Sequence, residues 1–76
     1  MNNERRKRIQ AAIDKIEEAK GELEEIREEE QEAYDNMPEG LQESERGQKM
    51  SDAIDYLDSA VSSVEEAIDS CNSSME

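Results

Sequence analysis

A chain of 76 residues with 22 acidic and 9 basic side chains, a net charge of −13, one cysteine and no histidine offers little material for catalysis. Without histidine there is no customary general base near neutral pH, no histidine-bearing metal site and no Ser-His or Cys-His pair, so neither enzyme activity nor a cofactor is expected. One cysteine cannot form an internal disulfide, and a charged opening without an apolar run suits neither a signal peptide nor a membrane span, so the expected location is the cytoplasm.

Hydrophobic residues at 33%, aromatics at 3% and charged residues at 41% would also suit a disordered chain. The apolar residues nevertheless recur at helical period, which predicts order. In chain order, the first helix is expected over about residues 4–35. Written as heptads, its a positions are Ile9, Ile16, Leu23, Glu30 and Met37, its d positions Ala12, Ala19, Ile26 and Ala33, with Ile13 and Tyr34 at e. This is an apolar stripe interrupted once, by Glu30. Gly21 falls on the outer face. The basic run Arg5, Arg6, Lys7 and Arg8 opens the helix, where the dipole disfavours cations. A chain folded back on itself would bring that run beside Asp69. A direct nucleic-acid role would need a continuous basic face or stacking aromatics, and the sequence has neither.

A turn is expected over residues 36–43. Asn36 suits a left-handed helix end, and Pro38 cannot continue a helix but can open a short turn through Gln42. Met37 and Leu41 are expected to fold inward over the end of the core, and Ser44 to cap the second helix. The turn resembles a calcium loop only superficially, because Met37 and Arg46 stand where such a loop needs oxygen ligands.

The second helix is expected over about residues 44–72, with a frayed tail at 73–76. Its a positions are Met50, Leu57, Val64 and Cys71, its d positions Ala53, Ala60 and Ala67, and its e positions Ile54, Val61, Ile68 and Met75. Tyr56, Ser63 and Ser70 occupy g. A three-in-seven stripe of this kind belongs to a core-facing helix of a bundle. Cys71 lies on it and reads as packing.

Folded at the turn, the helices match when paired residue numbers add to about 84: Leu23 with Val61, Ala19 with Val64, Ile16 with Ile68. The expected fold is therefore all-α, an antiparallel two-helix hairpin with alanines at d letting the backbones approach. Two helices cannot cover so wide a stripe, so self-association into a homodimeric four-helix bundle is expected. The expected surface is the uncharged arc of the second helix: Ile54, Tyr56, Val61 and Ile68.

Charge is distributed unevenly. Residues 17–67, the half nearest the turn, hold 18 acidic and 4 basic residues, or −14, whereas the remaining residues hold 4 and 5, or +1. The stretch Glu29 to Gly47, EEQEAYDNMPEGLQESERG, resembles small acidic helical-hairpin proteins of bacteria, prophages and phages, as do the ERRKRI opening and the acidic-alanine repeats of both helices. The resemblance carries no activity and no functional residue. It implies a mobile-element setting inside a bacterial host cell, where small acidic proteins often inhibit host defences.

Two functions are expected from these features. One is an inhibitor that binds a basic nucleic-acid-binding defence protein, such as a CRISPR effector nuclease, by imitating the nucleic-acid backbone. Its contacts would be Glu24, Glu25, Glu28 and Glu32 on the first helix, with Asp52, Asp55 and Asp58 on the second. The other is a structural or adaptor bundle whose acidity serves solubility.

Overall fold

The computed structural model describes all 76 residues and is all-helical. Helix α1 runs Asn3–Asp35, α2 is a single turn at Glu39–Gln42, and α3 runs Glu45–Ser74. The long helices α1 and α3 pack antiparallel into a rod 58 × 15 × 12 Å.

Local chemistry sets each boundary. Asn2 is the N-cap of α1, its Oδ1 accepting from the Arg5 amide at 2.8 Å. At the other end Asn36 stays right-handed, φ −84° and ψ −5°, and no residue in the chain has positive φ. The expected left-handed cap is therefore absent. Instead the Tyr34 carbonyl accepts from the Met37 amide at 3.1 Å and, at 2.8 Å, from the Gln42 side chain, which reaches back to tie the turn to the helix end. Pro38 is extended, and its carbonyl accepts from the amides of Leu41 and Gln42, closing the single turn. Leu41 does not plug the core: it is 51% exposed.

Ser44 caps α3, its Oγ accepting from the Gly47 amide at 3.3 Å. Gly47 lies inside α3 and is buried. A Cβ there would stand 2.2 Å from the Gln42 carbonyl oxygen, so glycine is required by the close passage of α2 over α3. Far from fraying after Asn72, α3 continues to Ser74, and the Met75 carbonyl accepts from Arg6 Nε at 3.1 Å. That contact ties the basic run to the C-terminal end of α3. No ion pair to Asp69 forms.

The seam differs from the expected one. On α1 the buried and half-buried positions are Arg6, Ile9, Ile13, Ile16, Lys20, Leu23, Arg27, Glu30, Gln31 and Tyr34; on α3 they include Met50, Ile54, Leu57, Val61, Val64, Ile68 and Cys71, with Ser51, Ala53 and Ala60 half-buried beside them. Apart from Gln31, the large side chains among them stand at the a and e positions. The α1 d residues Ala12, Ala19, Ile26 and Ala33 are exposed. Burial energy gives the reason. Turning α3 so that Ile54, Val61 and Ile68 face inward buries about 1.5–3 kcal/mol per large aliphatic, far more than three alanines return.

The same rotation puts Lys20 and Arg27 of α1 into the seam. Their aliphatic stems pack there while their charged heads reach its edge. Lys20 Nζ meets Glu65 at 3.3 Å, and Arg27 Nε meets Asp58 at 2.8 Å. Both pairs add to 85, one residue from the expected register.

Candidate functional site

The rod has two unlike broad faces, and helix geometry explains why. At about 3.6 residues per turn, b and f positions lie on one side of an a/e seam and d and g positions on the other. In an antiparallel pair, equivalent flanks of the two helices fall on the same side.

The b/f side is acidic. Glu24, Glu28 and Asp58 come together around a shallow groove of about 300 Å³, which Arg27, Val61 and Glu65 complete. The Arg27 guanidinium bridges its walls, 2.8 Å from Asp58 and 3.2 Å from Glu28. Lys20 spans the next layer to Glu65 and, at 3.7 Å, to Glu24. The hydrogen bond to Asp58 raises the Arg27 pKa above its ordinary value, and the one to Glu65 does the same for Lys20, each outweighing partial desolvation. Three of the seven expected acidic contacts are thus engaged with cations.

The other four are placed differently. Glu25 and Glu32 run along the back of α1, and Asp52 and Asp55 along the outer side of α3. None has a basic partner, although Asp52 accepts from Gln48 Nε2 at 3.0 Å. The seven residues therefore form a belt around the tip half rather than one patch. Glu65 belongs with them. Its signal in the sequence was its place seven residues after Asp58, opposite Lys20 as Asp58 is opposite Arg27.

The expected self-association arc is not a free surface. Ile54 and Ile68 are 6% and 9% exposed, covered by α1 within the same hairpin. Val61 is half-buried on the acidic flank, while Tyr56, 76% exposed, stands on the opposite flank. The four do not share a face, because the aliphatics at e were drawn into the seam.

The d/g side is apolar along its middle. Ala12, Ala19, Ile26 and Ala33 on α1 lie beside Ala53, Ala60 and Ala67 on α3, with Tyr56 at the edge. Ile26 is 50% exposed. At the foot of this face Met1, Arg5, Arg8, Ile9 and Ala12 line an open depression of about 320 Å³.

No group of three or more carboxylates and cysteine converges as a metal site, and no helix is long and apolar enough to cross a membrane. The chain matches no protein-family model, no curated protein sequence and no solved structure.

Proposed function

We propose that this protein is a non-enzymatic interaction module that occupies a basic nucleic-acid-binding surface of another protein, most specifically a host defence nuclease such as a CRISPR effector, from within a phage or mobile element. The observation that supports the reading is the belt of exposed carboxylates without basic partners, Glu25, Glu32, Asp52 and Asp55, beside the acidic groove. A thirty-residue helix is about 45 Å long, a length over which duplex DNA presents about 26 phosphates. The chain's 22 acidic residues are comparable in number. Fixed on a rigid rod, they meet a basic channel without the ordering cost of a flexible tail.

The test is competition. With a purified CRISPR effector nuclease, the protein should displace target DNA and suppress cleavage, and raising salt from about 50 to 200 mM should weaken it severely, as neutralised charge pairs require. Reversing Glu25, Glu28 and Glu32 to lysine should abolish inhibition while leaving the helical circular dichroism intact. A triple variant that inhibits as well as wild type, or inhibition with DNA still bound, would refute the reading.

A second reading, a homo-oligomeric helical bundle with a structural or adaptor role, draws on the exposed apolar face of the hairpin. The two readings are compatible, since association through that face leaves the acidic belt outward.

A further inference from the structure

We infer that the d/g face binds a second copy of the chain foot to tip, so that α1 lies antiparallel on α1 of the second copy with Ala19 at the two-fold axis. The inference rests on the self-association reading and adds to it the face, the direction and the register.

Charge along the rim of this face chooses the direction. The g positions of α1, in order from foot to tip, are Arg8, Lys15, Glu22 and Glu29. All four are exposed and none forms an ion pair within the hairpin. A series running from two cations to two anions is its own complement when reversed. With α1 antiparallel on its copy, Arg8 meets Glu29 and Lys15 meets Glu22, each pair occurring twice by symmetry. The d residues follow the same register: Ala19 faces Ala19, Ile26 faces Ala12, and Arg5 at the foot faces Ala33 at the tip.

Shape agrees with charge. Ile26 is the large aliphatic side chain that protrudes from the α1 half of this face, half exposed. In the foot-to-tip register it enters the depression lined by Met1, Arg5, Arg8, Ile9 and Ala12 of the second copy. The alanines elsewhere allow helix axes to approach at the close end of the roughly 8–10 Å range.

The opposite arrangement, foot to foot, would set the two halves of charge −14 side by side. Charges on packed helices lie within about one Debye length, roughly 8 Å at physiological ionic strength, so that repulsion is not screened away. The rod's outline of 58 by 15 Å sets an upper bound of about 870 Å² on the projected contact, within which a standard interface of roughly 800 Å² of accessible surface per partner fits.

The experiment uses the full chain, with mass read by light scattering or sedimentation at low ionic strength. Wild type should run at twice the chain mass of 8.7 kDa. One variant carries Arg8→Glu and Lys15→Glu, making the α1 rim wholly acidic. The other carries Glu22→Lys and Glu29→Lys, making it wholly basic. Each alone should associate at least tenfold more weakly than wild type. Mixed, they should form a heterodimer, because every rim pair is then complementary. The four positions lie on the outer surface of α1, and circular dichroism of each variant verifies that the hairpin is folded. Ile26→Lys, which changes the knob alone, should also yield monomer.

Wild type that stays monomeric overturns both this inference and the self-association reading. Wild type that dimerises while the rim variants still dimerise singly, or fail to pair on mixing, overturns the foot-to-tip geometry and leaves self-association standing. If either rim variant does not fold, the Ile26→Lys protein decides the face: a dimer overturns it.

Discussion

The same substitution, glycine to alanine, should act in opposite directions at Gly21 and Gly47. Both residues sit inside long helices, where alanine is intrinsically better by about 1 kcal/mol. At Gly21 an added Cβ meets nothing within 4 Å, so Gly21→Ala should realise that gain. At Gly47 the Cβ would lie 2.2 Å from the Gln42 carbonyl oxygen and 2.5 Å from both the Gln42 carbonyl carbon and the Leu41 carbonyl oxygen. These are backbone atoms of the turn and cannot rotate aside as a side chain would. Overpacking costs about 1–3 kcal/mol, and backbone overlap belongs at the upper end. Against the propensity gain, Gly47→Ala should lose about 2 kcal/mol net. In a domain of this size each kcal/mol moves Tm by about 4–8 °C, so the two variants should part by roughly 12–24 °C. Thermal unfolding followed by far-ultraviolet circular dichroism, at one fixed protein concentration, measures the difference. Equal shifts of the same sign would refute the close passage of α2 over α3.

The seam yields further outcomes. Ile13, 2% exposed, is the most buried side chain, and Ile13→Ala should cost about 2–5 kcal/mol, enough to unfold much of the population in urea titration. Arg27→Ala should destabilise the hairpin, more from the lost packing of its stem than from the exposed pair with Asp58, so adding salt to wild type should reproduce little of the loss. Lys20 has a raised pKa because its ammonium bonds Glu65, so its contribution is complete below the unfolded value of about 10.4 and disappears as pH climbs through the folded value. The stability gap between wild type and Lys20→Met, measured by urea unfolding, should therefore close at alkaline pH; a constant gap would exclude the ion pair as its source. Gln42→Ala should cost about 1 kcal/mol by removing the side-chain hydrogen bond to the Tyr34 carbonyl, which keeps only the Met37 amide, whereas Gln42→Glu, which cannot donate when ionised, should not restore it.

The two long helices and the break at Pro38 were legible because each depends on neighbours in sequence: apolar spacing, a proline, and a serine three residues before the amide it caps. The antiparallel pairing was legible too, and its register to within one residue, since matching apolar layers constrain it from many points. Other features were not. The Gln42 side chain supplied the cap expected of a left-handed Asn36, and Gly47 proved to be a steric requirement of the α2 crossing. Both depend on where the turn lies in space. The acidic residues were named correctly as exposed, but their division into a cation-bridged groove and a free belt followed from how far α1 and α3 had rotated.

That rotation separates the two levels. By itself the sequence determined that apolar groups recur at helical period and that charge gathers near the tip, because both are properties of the order of residues. A stripe three positions wide leaves open which two positions form the seam. Only the packed pair decided this, by the greater burial of Ile54, Val61 and Ile68 over the alanines and by the reach of Lys20 and Arg27 to Glu65 and Asp58. The choice left Ile26 and the alanines Ala12, Ala19, Ala33 and Ala67 exposed, and gave the rod one acidic and one apolar face.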